Sequence, residues 1–250
     1  MVEKNGSLVR EEISPQFRAL NGLYITDMMK RDNVVWITTN HGLYRFDPYQ
    51  QQLIVYRNLS HEFLSSLALT SDNRLLVGSL YGVNVYDDAT DSFSVWTTAS
   101  NPPLKSDFVH CLLMDKGLVW VGTESGGIAQ LVPRQLLLQN YVHTALPSSI
   151  SPNPVNAMYV EPDGTIWVGT VEGGLNRKES GDRSQEFVHF TKENSALSHN
   201  SVSALVADGK GRLWTGTWGG GLNVVELASQ AVRKVDMSED AARLTNFIGA

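Results

Sequence analysis

Few residues of this 250-residue chain could do covalent chemistry, and they are widely spaced. The single cysteine, Cys111, stands in the apolar run 108–114, where no neighbouring base pattern would activate a thiolate. The six histidines have neither His-x-x-x-His nor cysteine-containing ligand spacing, so the sequence predicts no metal site. In residues 122–126 the serine is one position too late for a nucleophile elbow. We therefore expect no catalytic residue and no cofactor.

Charge and composition exclude two further classes of partner. The formal net charge is −6 and the sequence pI is about 5.5, which argues against a nucleic-acid-binding face. No run approaches the length of apolar sequence that spans a bilayer, so no membrane contact is expected within this chain. The glycine-rich segments 122–127 and 216–221 lack the Lys-Ser/Thr ending of a phosphate-binding loop.

The elements that must position any site come from a repeat. An apolar strand ending in Trp-Val-Gly-Thr, or a close variant, recurs with its central residue 40, 44, 47 and 47 positions after the previous one. The central residues are Trp36, Leu76, Trp120, Trp167 and Trp214. A period in this range marks one supersecondary unit that cannot bury its apolar face alone. Because these residues recur in register, we expect them to form the structural core between units.

Each repeat contains four short candidate strands separated by Gly- and Asp-rich turns, which is typical of an antiparallel β-propeller blade. The sequence therefore predicts an all-β propeller of four-stranded antiparallel blades. Five complete blades are expected, at residues 21–63, 64–106, 107–152, 153–199 and 200–243.

The two ends of the chain predict incomplete blades. Residues 1–20 include stretches that could be the outer strand of a preceding blade, either 8–13 or 16–20, and residues 244–250 resemble the first strand of a sixth. Since an unclosed propeller leaves unpaired edges and apolar faces, the expectation is a fragment of a larger array. A closed five-bladed ring is the alternative, but it would leave residues 244–250 without a role.

The fourth and fifth repeats carry the most regular motifs. Residues 153–157 and 200–204 begin with Asn and continue into an apolar strand, and the segments 163–170 and 211–217 hold the Trp motif. Gly-Gly-Leu-Asn follows at 173–176 and again at 220–223. This pattern resembles the two-component regulator propeller repeat of bacterial sensor proteins. The first two blades depart from it, with Thr38 in place of glycine and Leu76 in place of tryptophan.

The resemblance implies the periplasmic sensing part of a membrane-bound histidine kinase, hybrid kinase or diguanylate cyclase, with the output domain outside this chain. It also implies a receptor for oligosaccharides, since characterised members from gut bacteria have that role. Residues 1–7 lack the apolar core of a signal peptide, so a cytoplasmic location is the alternative.

Propeller geometry places one set of loops on a common face. The turns between second and third strands and the links between blades lie on that face, where rigidly held loops favour binding. Residues there that break the repeat are candidates for contacting a ligand: Asn40, His41, Tyr81, Glu124, Ser125, Asn153, Glu172, Asn200 and Trp218. Trp218 stands out because an exposed indole suits stacking on a sugar ring, although packing over a neighbouring blade is the other interpretation.

Three functions remain open on the sequence alone. The first is a sensor that binds a small molecule, such as an oligosaccharide, without chemistry. The second is a protein-interaction scaffold, including a homodimer. The third is an enzyme, because fold does not decide function. The missing nucleophile–base and metal patterns rank the enzyme last.

Overall fold

The computed structural model describes residues 2–4, 7–9, 15–132, 137–152, 154–182, 184 and 186–236. Its architecture is five consecutive four-stranded antiparallel sheets, in which strands follow one another in chain order. The predicted all-β propeller fold, with five complete blades, is confirmed. The expected start of a sixth blade at residues 244–250 lies outside the described residues.

The described N-terminal part forms a two-stranded hairpin of β1 (Val2–Lys4) and β2 (Ser7–Val9), followed by a 3₁₀ helix at Pro15–Leu20. The helix includes residues 16–20, one of the two stretches for which the sequence suggested an outer strand, so that stretch is not a strand. The Phe17 ring packs against that of Phe46 in the first blade, with centroids 4.6 Å apart. This contact fixes the helix against the first blade.

The twenty blade strands have these bounds in chain order. They are β3 Ile25–Arg31, β4 Val34–Thr39, β5 Gly42–Asp47, β6 Gln52–Tyr56, β7 Leu64–Leu69, β8 Leu75–Ser79, β9 Gly82–Asp87, β10 Ser92–Trp96, β11 Val109–Asp115, β12 Leu118–Thr123, β13 Ile128–Val132, β14 Leu137–Tyr141, β15 Val155–Val160, β16 Ile166–Thr170, β17 Gly174–Lys178, β18 Val188–Phe190, β19 Val202–Ala207, β20 Arg212–Thr217, β21 Gly221–Glu226 and β22 Ala231–Lys234. Four consecutive strands from β3 onward make one blade.

The turn into each third strand depends on glycine. In the first blade Gly42 has φ 105°, a region that favours glycine, and its N–H donates to the Glu62 carbonyl at 2.8 Å. A Cβ there would lie 3.0 Å from the Tyr56 carbonyl oxygen. The glycine thus allows the turn to approach the link to the next blade.

Every first strand has a bulge at the same point. The pairing register shifts between Leu64 and Ser66 in the second blade and between Val109 and Cys111 in the third, and it shifts at the equivalent point in the other three. The residue inside the shift is polar in all five blades: Thr26, Ser65, His110, Asn156 and Ser203. A bulge redirects a side chain out of the strand's alternation, so these residues share one special position.

The core consists of apolar layers between successive blades. Trp36, Trp120 and Trp167 are buried and pack with apolar residues of the following blade, and Leu76 does the same in the second blade. Trp214 is only half-buried, because no described blade follows it. Large apolar side chains at this position join one blade to the next.

The blades form an open arc. Their innermost strands contact in order, β3 with β7, β7 with β11, β11 with β15, and β15 with β19. No comparable contact joins β19 to β3 within the described strands. Consistent with two uncovered faces, Met28 on β3 is 60% exposed and Val206 on β19 is 63% exposed. The described blades therefore do not make the closed five-bladed ring that was the sequence alternative.

Candidate functional site

One face of the arc brings together the turns and links that the sequence singled out. In the second blade the Leu80 N–H donates to the Phe63 carbonyl at 3.4 Å, and in the third the Glu124 N–H donates to the Phe108 carbonyl at 2.9 Å. Neighbouring blades are also joined, since the Gly174 N–H donates to the Asn200 carbonyl at 2.7 Å. We call this surface the mouth face, defined by the β4–β5, β8–β9, β12–β13, β16–β17 and β20–β21 turns and the links between blades.

On the mouth face the second, third and fifth blades each have one exposed aromatic side chain. Tyr81, in the β8–β9 turn, is 51% exposed, and Trp218, in the β20–β21 turn, is 42% exposed. Phe108, at the start of β11, is 49% exposed and was not singled out from the sequence. The backbone N–H of Trp218 donates to the Ser201 carbonyl at 2.9 Å, and this bond fixes the backbone that carries the indole. Large apolar surface is thus held in water on a rigid frame.

His110 and Glu124 form a close pair on the third blade. The Nε2 of His110 and the Oε2 of Glu124 share a hydrogen bond at 2.5 Å, and both side chains are partly exposed. His110 reaches the mouth face because it occupies the bulge of β11. The sequence predicted Glu124 but not His110. The polar residue that recurs at the bulge position was the available signal.

Glu172 lies between the fourth and fifth blades. Its backbone has φ 59°, and its carboxylate Oε1 accepts a hydrogen bond from the Ser201 hydroxyl at 2.9 Å. The Glu172 N–H donates to the same hydroxyl at 3.2 Å. The second carboxylate oxygen, Oε2, accepts no hydrogen bond from the described residues. The two bonds to Ser201 therefore fix the position of Glu172 and leave Oε2 as an acceptor for a ligand.

The polar candidates Asn40, His41 and Asn200 are engaged in local structure. The side-chain oxygen of Asn40 accepts from the Tyr24 N–H at 2.9 Å, and His41 Nδ1 lies 2.9 Å from Glu62 Oε2. The Asn200 amide donates to Glu193 at 3.1 Å, and this hydrogen bond lowers the pKa of the Glu193 carboxyl.

The last two candidates differ in what the structure describes. Ser125 is exposed on the mouth face. Asn153 lies outside the described residues.

Cavities occur between blades, away from the mouth face, which the sequence did not predict. One of about 290 Å³ lies between the first and second blades at Trp36, and one of about 170 Å³ follows at Leu76. A third, of about 370 Å³, lies between the third and fourth blades at Trp120. All three open where the repeated core residue meets the following blade.

The nucleophile and metal chemistry of the described residues is sparse. Burial raises the pKa of the Cys111 thiol to about 12, so the thiol is protonated at neutral pH. Within the described ranges no cluster of three or more His, Cys, Asp or Glu side chains could hold a metal ion. No helix in the described part of the chain is long and apolar enough to cross a membrane.

Comparison with known proteins agrees with this architecture. The sequence model of the family described as two component regulator propeller matches residues 149–172 and 196–219. These two segments contain the first two strands of the fourth and fifth blades. Among curated proteins, no sequence matches the chain.

Solved structures share the fold at low sequence identity. The extracellular domain of a hybrid two component system from B. thetaiotaomicron has a TM-score of 0.72 and 21% identity over 84% of this chain and 29% of its own. The extracellular domain of a one component system from B. thetaiotaomicron has a TM-score of 0.67 and 22% identity, over 80% of this chain and 27% of its own. Virginiamycin B lyase from Staphylococcus aureus has a TM-score of 0.67 and 14% identity, over 90% of this chain and 74% of its own.

The chain spans less than a third of the length of these two extracellular domains, at 27% and 29%. Because a lyase and two extracellular domains of signalling systems share the fold, the fold by itself does not assign the function. The expected resemblance is confirmed: this chain is a β-propeller in which segments of the fourth and fifth blades, 149–172 and 196–219, match the two component regulator propeller.

Proposed function

We propose that this chain is the ligand-sensing propeller region of a membrane-bound bacterial two-component signalling protein, located in the periplasm. It binds a small molecule of the oligosaccharide class and performs no chemistry on it. The observation that carries the proposal is the exposed indole of Trp218 on the mouth face, at the junction where Glu172 is held by Ser201. The family match in the fourth and fifth blades supports the same assignment.

The mouth face has the groups that sugar recognition needs. A sugar ring stacks its C–H face on an aromatic ring, and Trp218, Tyr81 and Phe108 each offer an exposed one. Hydroxyl groups donate to carboxylate oxygens, which Glu172 and Glu124 provide. A rigid scaffold lowers the entropic cost of binding, because the loops are held by backbone hydrogen bonds.

Signalling follows from binding if the ligand prefers one of two arrangements of the whole protein. A ligand shifts such an equilibrium only by its difference in affinity between the two states. The mouth face joins adjacent blades through bonds such as that of Gly174 to Asn200. A ligand that spans these turns would favour the arrangement in which they are closest.

The test is a thermal-shift screen of the purified chain against defined neutral and acidic oligosaccharides, followed by calorimetry. We expect at least one to raise Tm and to bind at least about tenfold more weakly to the Trp218→Ala and Glu172→Ala variants. Unchanged affinity in both variants would show that the binding site does not lie on the mouth face. Hydrolysis or elimination of a bound oligosaccharide, detected by chromatography, would show that the chain is an enzyme and not a sensor.

A second candidate is a scaffold that pairs with another copy of this chain. The uncovered apolar residues at the two ends of the arc favour it, namely Tyr24, Ile25, Met28 and Val206. Burying such side chains gains about 25 cal/mol per Å² of apolar area. Sedimentation equilibrium would then show a dimer that Val206→Glu dissociates, and a monomer at all concentrations would reject this candidate.

A further inference from the structure

The cavity between the first and second blades is lined by charged and aromatic groups that take no part in the proposed sugar site on the mouth face. This groove of about 290 Å³ is lined by Arg31 at the end of β3, Trp36 on β4, Arg45 on β5, and Tyr86 and Asp88 of the second blade. We call it the Trp36 groove. It lies at the contact between two blades, far along each strand from the mouth turns.

Two buried hydrogen-bond donors in this groove have no acceptor. The Nε1 of Trp36 and the Nε of Arg31 are both buried and unpaired among the described residues. Trp36 is 1% exposed and Arg31 is 8% exposed. Both groups are donors only, and an unmade buried hydrogen bond costs about 1–3 kcal/mol. These two donors belong to residues that line one cavity, where a ligand oxygen would satisfy them.

In the fourth blade the equivalent indole, that of Trp167, has a hydrogen-bond acceptor. There the Trp167 Nε1 donates to Glu161 Oε1 at 2.8 Å. Trp167 pairs with Tyr159 across the strands, and Glu161 follows two residues later. In the first blade Trp36 pairs with Met29, and the residue two positions later is Arg31. A guanidinium therefore stands where the fourth blade has the carboxylate that accepts the indole N–H.

Three other polar groups of the groove have contacts within the protein, and Asp32 and Asn33 line it as well. Asp88 accepts hydrogen bonds from both terminal nitrogens of Arg31, at 2.9 and 2.6 Å, so the charge of Asp88 is balanced by that guanidinium. The Tyr86 hydroxyl donates to Asp91 at 2.6 Å. Arg45 places its guanidinium 5.8 Å from the centre of the Trp36 ring. Arg31 and Asp88 neutralise each other, while Arg45 brings a further positive charge to the groove and Asp32 a further negative one.

We propose that the Trp36 groove binds a small carboxylate. One carboxylate oxygen takes the place that Glu161 occupies in the fourth blade and accepts from Trp36 Nε1 and Arg31 Nε. Arg45, whose guanidinium lies beside the Trp36 ring, is the cation that the carboxylate would meet in the groove. This is a second binding site, independent of the mouth face, and it involves no covalent step.

The experiment follows the indole N–H resonances of ¹⁵N-tryptophan-labelled protein during titration with sodium acetate at pH 7, with sodium chloride holding the ionic strength constant. Trp36→Phe assigns the Trp36 resonance. We expect that resonance to shift in a saturable manner with acetate, whereas the Trp167 resonance, already bonded to Glu161, stays in place. Ethanol at the same concentrations is the uncharged control and should give no saturable shift.

Two variants test the donors separately. Arg31→Glu installs the acceptor of the fourth blade, so the Trp36 resonance should shift without ligand and acetate should no longer move it. Arg31→Lys keeps a positive charge opposite Asp88 but removes the Nε donor, and we expect acetate to bind at least about fivefold more weakly.

Three results would overturn the proposal: no saturable shift of Trp36, equal shifts of Trp36 and Trp167, or an unchanged titration in Arg31→Lys. Failure of oligosaccharide binding at the mouth face would leave this result unaffected, since the Trp218 and Trp36 resonances report on the two sites separately.

Discussion

The Ser201 hydroxyl donates to Glu172 Oε1 at 2.9 Å and accepts from the Glu172 N–H at 3.2 Å. Ser201 is 2% exposed and stands just before β19, whereas Glu172 lies in the β16–β17 turn of the preceding blade. This pair joins two blades at the mouth face. The pair also holds the Glu172 carboxylate near the backbone of Trp218, because the backbone N–H of Trp218 donates to the Ser201 carbonyl at 2.9 Å.

The first prediction separates ligand contact from packing at Trp218. Trp218→Ala should lower oligosaccharide affinity at least about tenfold while changing the free energy of unfolding by less than about 0.5 kcal/mol, since the side chain is half-exposed. Tyr49→Ala is the matched control, because Tyr49 is 80% exposed in the β5–β6 turn, off the mouth face. Calorimetry and urea unfolding measure the two quantities. A large loss of stability would instead show that Trp218 is a packing residue.

The second prediction concerns the buried indole of the fourth blade. Glu161→Met removes the acceptor of the Trp167 N–H, and the orphaned donor should cost about 1–3 kcal/mol of stability. Glu161→Gln keeps a side-chain oxygen and should cost less. Glu179→Met, at a side chain that is 70% exposed, is the control and should be nearly neutral. Urea midpoints at constant m-value give the comparison, and equal stability of Glu161→Met and Glu161→Gln would contradict the hydrogen bond.

The third prediction tests why glycine follows the repeated tryptophan. A Cβ at Gly122 would lie 2.5 Å from Cys111 Sγ and 2.7 Å from Val155 Cγ1 of the next blade. Gly122→Ala should therefore destabilise the protein by about 1–3 kcal/mol through overpacking.

Val155→Ala makes room for the added methyl group at Gly122. In a double-mutant cycle of unfolding free energies, the two changes together should cost at least about 0.5 kcal/mol less than the sum of the single changes. Strict additivity would show that the two blades do not meet at this glycine.

The fourth prediction uses the thiol of Cys111. Burial raises its pKa from 9.0 to about 12, so between these values the unfolded chain loses the thiol proton while the native state keeps it. The native state then binds more protons, and stability falls as pH rises through that window, by at most about 1.4 kcal/mol per pH unit. Below pH 9 this contribution is constant.

The comparison that isolates the thiol is wild type against Cys111→Ala. The extra loss of stability between pH 9 and 12 should vanish in the variant, as measured by urea unfolding. Iodoacetamide should also label the native thiol at least about 100-fold more slowly than the unfolded one at pH 8. Equal labelling rates would show that the thiol is open to water.

The sequence alone determined the fold, the number of described blades and the face on which the repeat-breaking residues lie. The reason is that blade formation depends on local signals, namely apolar strands, positive-φ glycines such as Gly42, and a large apolar residue once per repeat. The burial of Trp36 and Trp167 follows from the same pattern, since one face of each blade must be covered by the next.

Only the tertiary structure decided the pairing of polar groups. His110 meets Glu124 because a bulge turns it toward the mouth face, and a bulge is a property of register between strands. The Trp36 groove depends on Arg31 standing beside the indole on the neighbouring strand and on the groups of the second blade that face it. Such contacts are set by neighbours on different strands in three dimensions, so spacing along one chain could place the residues on a blade without showing which of them remain unpaired.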